Sequence, residues 1–428
     1  MGLGPGVQTR RLAARLLVDT LKQRKTLDQV FAGSDELSEL ERRDGGFVRA
    51  MVTGAFRELG RYDTALSGLV ERPLETLDPL VLSFLRIGAV QLWRMDAPVH
   101  AAVGETVAAA KSDPASTRAS GLVNAVLRRA SEMREVFDAT PIHHVWPDWL
   151  WERMRADLGG DRAQALARAQ LDLPELHLTA IDPEATAKTL GGALLPTGSI
   201  ALPMGRGDDV EGYAEGSWWV QDTAAALPAR ILNAQPGEQV LDLCAAPGDK
   251  TLQLAATGAQ VTALDRSASR LKRVHENLQR TGLGAHVEVV CEDARTWRPK
   301  TRFDAILVDA PCSAFGTLAR HPEGAWIKRP GDIEGFPPLQ AEILKTALSL
   351  LKPDGRLVYC VCTPLQREGA DIVNDVVSEG QAFRKPLSSS DVPGFETCLT
   401  ELGDVLSLPG AQMRHDAFYI ARLAGSGR

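Results

Sequence analysis

Two cysteines stand where a thiol can do chemistry. Cys312 follows Pro311 in the run Val308-Asp-Ala-Pro-Cys, and Cys362 closes the apolar run Arg356–Val361. A single cysteine at a strand end is usually an inert buried thiol. Two at the ends of facing strands, one of them just after the carboxylate of Asp309, instead suggest a nucleophile with an acid–base partner. Acids recur at the other strand ends, as Asp242 beside Cys244, Asp265 and Asp293. The first turn reads Asp242-Leu-Cys-Ala-Ala-Pro-Gly-Asp-Lys250 and is not G-x-G-x-x-G. That disfavours a pyrophosphate cradle, and with it nicotinamide and flavin cofactors. Ala245, Ala246 and Gly248 still allow a ligand close to the backbone. Asp265, about twenty residues on, suits both hydroxyls of a ribose, and Asp293 suits an adenine amino group. Together they describe an adenosine ligand without a diphosphate.

These groups need a scaffold that brings strand ends together. From about residue 236 the pattern is β-α-β-α, with strand-length apolar runs at Gln239–Leu243, Gln260–Leu264, Val287–Val290, Ala305–Val308 and Arg356–Val361 and a helix at Ala268–Thr281. Buried strands joined by crossover helices predict a mostly parallel, doubly wound Rossmann-like sheet, whose ligands lie beyond the C-terminal strand ends. Residues 8–134 read as all-helical, with Leu77–Leu92 apolar nearly all round and Asp78-Pro79 as its N-cap and first residue. Between them lies a Trp- and Pro-rich stretch punctuated by Pro141, Pro147, Pro174, Pro183, Pro196 and Pro203, with strand-like runs at Leu176–Ile181 and Ser217–Val220 and a helix at Arg162–Leu171. The expected organisation is a helical domain at 1–135, a small α+β connector at 136–225 and an α/β catalytic domain at 226–428.

Composition narrows the function class. The net charge of −7 argues against a protein that coats nucleic acid nonspecifically, so any RNA site must be a local basic patch. Residues 8–25 offer one, with Arg10, Arg11, Arg15, Lys22, Arg24 and Lys25 against the single acid Asp19. No apolar run is long enough to span a membrane, and the Gly/Pro start at Met1–Gly6 has no apolar core of a secretory signal, so a cytoplasmic protein is expected, taken as a monomer although sequence does not determine its oligomeric state. In that setting the six cysteines read as buried or catalytic thiols, not disulfides. No C-x-x-C pair occurs, and no metal is expected.

The motifs resemble a known family. Leu241–Thr251, Val308-Asp-Ala-Pro-Cys-Ser-Ala-Phe-Gly-Thr317 and Leu357-Val-Tyr-Cys-Val-Cys-Thr363 are similar, in order, to the cofactor loop, active-site strand and second-cysteine strand of the RNA cytosine-5 methyltransferases of the RsmB/Nop2/Sun type. Gln221-Asp222 and Asp416-Ala-Phe-Tyr-Ile-Ala-Arg422 resemble its flanking elements, so the likeness spans about Trp218 to Leu423. The resemblance implies a class I methyltransferase fold and S-adenosylmethionine as cofactor, held by Cys244, Ala245, Ala246, Pro247, Gly248, Asp249, Lys250, Asp265, Arg270, Asp293 and Asp309. It implies Cys362 as nucleophile, Asp309 on the base edge and Cys312 assisting release. Strand alternation puts Cys360 on the same side as Cys362. Cys360, Cys244 and Cys291 are read as packing residues.

The helical region resembles the NusB-type RNA-binding domain. NusB-type helices ahead of this catalytic domain are similar to family members acting on 16S ribosomal RNA of the small-subunit precursor, which implies cytosine 967 as target. Lys250 and the Arg320-His321-Pro322 segment are further candidates for RNA contact, alongside Arg10, Arg11 and Arg15. Transfer RNA remains an alternative substrate, and a non-catalytic NusB-like assembly factor an alternative role. A DNA cytosine-5 methyltransferase fits less well, because it would use the Pro-Cys thiol without a second cysteine on the later strand. The sequence departs from the family where Asp249 replaces a usual glycine, Ala417 replaces another, and Thr363-Pro364 replaces a serine-containing turn. A carboxylate at 249 is expected to leave cofactor binding intact, since the cofactor carries net positive charge.

Overall fold

The computed structural model describes residues 4–202, 210–410 and 413–426. Pro203 and the start Met1–Leu3, both named above, lie outside the described residues. The chain forms two compact units: residues 1–172 with 318–330, and residues 173–317 with 331–428. Residues 136–172 thus lie in the first unit and 173–225 in the second.

The first unit is helical. Its longer helices are α1 (Pro5–Gln23), α2 (Arg42–Arg57), α3 (Leu59–Ser67), α4 (Pro79–Trp93), α5 (Val99–Ser112), α6 (Ser120–Ala130), α7 (Asp148–Leu158) and α8 (Gly160–Leu171). α4 is the central one. The Asp78 carboxylate accepts from Leu80 N at 2.8 Å, Pro79 opens the helix, and every residue from Val81 to Trp93 is buried. Tyr62, Trp93 and Phe137 stack with ring planes within 18° of one another. The chain between two catalytic-domain elements also enters this unit. In 318–330, Glu323 accepts from Leu27 N at 3.1 Å, the Arg57 guanidinium reaches Ala319 O at 2.9 Å, and Trp326 packs on the helical core.

The second unit holds two sheets. The smaller has the order β2 (Ala193–Leu194), β3 (Ile200–Leu202), β1 (Leu176–Ala180), β4 (Trp218–Val220), all antiparallel. Helix α9 (Thr223–Leu232) follows, capped by Asp222. The larger sheet begins with β5 (Gln239–Leu243), α10 (Asp249–Ala256), β6 (Gln260–Leu264), α11 (Ala268–Thr281) and β7 (Val287–Val290). It continues with β8 (Phe303–Asp309), α12 (Phe336–Leu350), β9 (Leu351–Val361), α13 (Ala370–Ser378), β10 (Ala382–Arg384), β11 (Val405–Ser407) and β12 (Phe418–Gly425). The order is β10-β12-β9-β8-β5-β6-β7, with β11 also paired to β12. Strands β5 to β9 run parallel, and β12 is antiparallel to both β9 and β10.

Both faces of this sheet are covered, as a parallel sheet requires. Leu241, Val308, Tyr359 and Val361 pack with α12 and α13, while Val240, Leu307, Val358 and Cys360 pack with α9 and α10. α11 is defined locally: Ser267 accepts from Arg270 N at 3.3 Å at its start, and Gly282 ends it at φ 69°. The expected Rossmann-like fold is thus present, with an antiparallel edge of β10, β11 and β12 added. No helix among the described residues is long and apolar enough to cross a membrane.

A Cβ added at Gly88 on α4 would lie 2.5 Å from the Leu127 methyl groups, and Leu127 is fully buried. Gly88→Ala is therefore expected to cost about 1–3 kcal/mol by overpacking and to lower the melting temperature in a thermal-shift assay. An unchanged melting temperature would show that this helix pair is loosely packed.

Candidate active site

The parallel pairing of β8 with β9 sets Asp309 opposite Cys360. Two residues on, Cys362 leaves β9, while the chain beyond β8 turns through Ala310 and Pro311. The two turns bring the Cys312 and Cys362 sulfurs to 3.3 Å. Gly316 N donates to Cys362 O at 2.9 Å and Ala417 N donates to Gly316 O at 2.9 Å, so the turn after Cys312 is tied to the backbone at Cys362. A Cβ at Gly316 would lie 1.9 Å from Ala417 O, so only glycine fits this approach.

The contact with the Cys362 sulfur, followed by burial, pushes the Cys312 thiol well above the usual range. Cys360 shares the Cys362 side of β9, as strand alternation requires, and its sulfur lies 3.5 Å from Asp309 Oδ1. Burial followed by the Asp309 charge pushes its thiol well up. Cys244 is likewise held protonated, chiefly by burial. Cys291, taken above as a packing residue, is instead exposed, because the edge strand β7 is only half covered.

Asp309 is paired with Lys250, whose Nζ lies 2.7 Å from Asp309 Oδ2. Lys250 is 9% exposed and sits 5.5 Å from the Phe418 ring centroid. Burial, the largest single influence, would lower its ammonium, but the Asp309 charge and hydrogen bond together with Cys360 and Asp249 outweigh it and hold the ammonium well above the lysine range. Lys250 is thus a buried partner of Asp309 rather than a surface cation.

Around the first turn, Gly248 has φ 112°, and a Cβ there would meet Val274 Cα at 3.3 Å. Asp265 is buried. Its Oδ1 accepts from Ser267 N at 2.9 Å, its Oδ2 from Ala246 N at 3.3 Å, and Arg270 lies 3.4 Å away. Arg270 also donates to Ala246 O. Asp293 is held by Arg295, at 2.7 Å from Nη2 and 2.9 Å from the backbone N, which depresses its carboxyl to about 2. A small cavity of about 80 Å³ is lined by these two acids with Cys244, Leu264, Pro311, Leu339 and Ile343. Larger clefts exist, but one of them, lined by Arg302, Lys345 and Lys352, lies at the opposite strand ends, where Glu379 and Asp304 pair with the lysines.

The residues fit an adenosine-bearing methyl donor. Two acids stand at either end of an apolar slot, a glycine turn leaves backbone room, and Asp242 Oδ1 is buried without a partner among the described residues. Leu339 and Ile343 were not foreseen, because they come from α12, far along the chain. Asp249 opens α10, where the helix dipole favours an acid. Burial outweighs that and the nearby Lys250, and pushes its carboxyl up to about 6.

The expected RNA contacts behave differently from the thiols. Arg10 is 7% exposed, donates to Gly6 O at 3.0 Å and stacks on Phe47, so it is not available as a surface cation. Arg15 pairs with Asp113 at 2.8 Å, and Arg11 lies 3.7 Å from Glu36. The acids on Arg11 and Arg15 come from elsewhere in the helical unit, so the local sequence did not show these two as paired. Arg320 and His321 belong to the helical unit, with the His321 ring about half exposed and 3.9 Å from Glu323.

A family model described as 16S rRNA methyltransferase RsmB/F matches residues 229–424, and one for the NusB family matches 7–132. The chain is 32% identical over 444 residues to "Ribosomal RNA small subunit methyltransferase B" of Vibrio cholerae, covering 99% of this chain and 98% of that protein. It is 36% identical over 387 residues to the Xanthomonas campestris protein of that name, covering 85% and 86%. Among solved structures, that of PH0851 superposes with a TM-score of 0.75 at 23% identity, covering 99% of both chains. NSun6 from Pyrococcus horikoshii with SFG superposes at 0.56 and 18%, covering 65% of this chain and 98% of that one.

Among the described residues the Asp242 carboxyl accepts only from Thr251 Oγ1, at 2.6 Å, and burial pushes it from 3.8 to about 7. The native carboxyl therefore keeps its proton in a window where the unfolded one has lost it. The folded state binds more protons there, so this group makes stability fall as pH rises from about 4 to 7, by at most ~1.4 kcal/mol per pH unit. Asp249 acts in the same sense up to about 6. Asp242→Asn is expected to shrink the fall in melting temperature between about pH 5 and 7.5; an identical slope would refute the buried, protonated state.

Proposed function

The chain belongs to the 16S rRNA methyltransferase RsmB/F family, and from that premise we propose that it methylates carbon 5 of a cytosine in 16S ribosomal RNA through a covalent adduct with Cys362. The observation that carries this reading is the 3.3 Å contact between Cys312 and Cys362 beside the Lys250–Asp309 pair. One thiol suffices for addition, whereas two in contact suit a reaction that must both form and release an adduct.

Carbon 5 of cytosine is a poor nucleophile until a thiolate adds to carbon 6 and makes it enamine-like. Cys362 adds as its thiolate, its proton having passed to solvent. Asp309 accepts from the exocyclic amino group, and Lys250 beside it offsets the negative charge that develops toward N3. The bound S-adenosylmethionine supplies the electrophilic methyl group to carbon 5. Loss of the carbon 5 proton to solvent then restores the ring double bond, breaks the carbon 6–sulfur bond and returns that electron pair to Cys362. Cys312 is held as a thiol, so it hands a proton to the departing sulfur and recovers one from solvent. Asp265 and Asp293 hold the ribose and the adenine; for the adenine contact the Arg295 clamp on Asp293 must share its carboxylate. The NusB-type unit supplies RNA affinity, and the architecture points to cytosine 967 as the target, with the enzyme acting as a cytoplasmic monomer.

Incubation with S-adenosylmethionine and unmodified 16S ribosomal RNA, followed by bisulfite sequencing, is expected to show one protected cytosine, with transfer RNA unprotected. No protected cytosine in either RNA would overturn the reading. The two thiols separate in a second assay. Cys312→Ala is expected to accumulate a protein–RNA adduct that survives denaturing gels and to slow turnover by about a hundred- to ten-thousandfold. Cys362→Ala is expected to form none; the reverse pattern would exchange the roles.

A further inference from the structure

Cys312 is not placed by strand geometry. It lies beyond the end of β8, and the residues on either side of it are held by side chains. Glu368, fully buried in the turn Gln366–Glu368 after β9, accepts from Ser313 N at 2.7 Å. Gln340 of α12, also fully buried, donates from Nε2 to Pro311 O at 2.9 Å and to Glu368 Oε2 at 3.3 Å. Ser313 Oγ donates to Thr363 Oγ1 at 3.0 Å, which links the Cys312 loop to the residue after Cys362. The turn bearing Glu368 is itself anchored by Tyr359 Oη, which donates to Glu368 O at 2.6 Å. One carboxylate and one amide thus grip the peptide groups before and after a single thiol.

A buried carboxylate is a costly way to close a loop. Desolvating it takes several kcal/mol in general, and an apolar residue of similar volume often does as well for stability. A fixed acceptor does offer exact placement of the donor it holds. We propose that Glu368, braced by Gln340, is a positioning residue that fixes Cys312 against Cys362 and so governs release of the enzyme from methylated RNA. The inference rests on the division of roles between the two thiols given above. Methyl transfer needs only Cys362 and the cofactor, so it should tolerate a loosened loop, whereas proton delivery across the 3.3 Å sulfur contact should not. The Glu368 charge also adds to the effects that keep the Cys312 proton in place.

The test compares wild type, Cys312→Ala, Glu368→Gln and Gln340→Ala with 16S ribosomal RNA and S-adenosylmethionine. It reads the single-turnover rate of methyl transfer and the fraction of adduct on denaturing gels. Glu368→Gln and Gln340→Ala are each expected to slow release by about tenfold or more and to accumulate adduct, with methyl transfer changed by less than about threefold. Wild-type adduct levels in both variants, with Cys312→Ala trapping adduct, would overturn the positioning role alone. No adduct in Cys312→Ala would instead overturn the underlying division of roles. Equal slowing of methyl transfer and release would mark Glu368 as a general support of the fold and also overturn the proposal. Should Glu368→Gln fail to fold, Gln340→Ala decides, because it keeps the buried carboxylate and its bond to Ser313 N and removes only the amide's donations to Pro311 O and to Glu368 Oε2.

Discussion

The parallel register of β8 on β9 is the constraint on which the candidate site depends. Pairing Asp309 with Cys360 means that both strands end at the same level, so the turns that follow them compete for the same space. A one-residue shift of β9 would turn Cys360 and Cys362 to the α12–α13 face, and one of β8 would carry Asp309 away from Lys250. The apolar alternation of β9, with Tyr359 and Val361 on one face and Val358 and Cys360 on the other, holds that register through the two cores. The geometry of the candidate site is therefore enforced by burial of residues that lie outside it.

Charge within the unit follows the same logic. Asp242, Lys250, Asp265 and Glu368 are all buried, and each has a specific partner: Thr251, Asp309, Ala246 N and Ser313 N respectively. Such groups do little for stability, since desolvation opposes their attraction. They fix backbone turns at the C-terminal strand ends, where a doubly wound sheet leaves its ligand crevice. Asp249 belongs to this set and departs from the family's usual glycine. Its place at the first turn of α10 gives its charge the helix dipole and Lys250, while burial favours its neutral form. A carboxyl balanced in this way need not repel a cofactor carboxylate.

Much of this was legible in the chain. The five core strands were visible as apolar runs of the right length, and α11 was bounded by Ser267 and Gly282. Asp78-Pro79 announced the start of α4, whose apolar circumference required a central position. Asp309, Cys312 and Cys362 were recognisable because their order along a β-α-β pattern puts them at strand ends. The antiparallel edge was harder to see. β10 and β11 are three residues each, too short for periodicity to declare them.

Local sequence determined which elements form and which residues can react, because helix caps, strand alternation and glycine turns are decided within a few residues. Tertiary structure decided what each polar group faces. Arg15 read as part of an RNA stripe until Asp113 and Glu36 took it, and Lys250 read as a candidate for RNA contact until Asp309 paired with it. Leu339 and Gln340, adjacent on α12, turn out to line the candidate cofactor cavity and to grip the Cys312 loop. The reason is common to all of them. Electrostatic and hydrogen-bond partners are chosen by distance in space, and the residues that meet here are separated by tens to hundreds of positions in the chain.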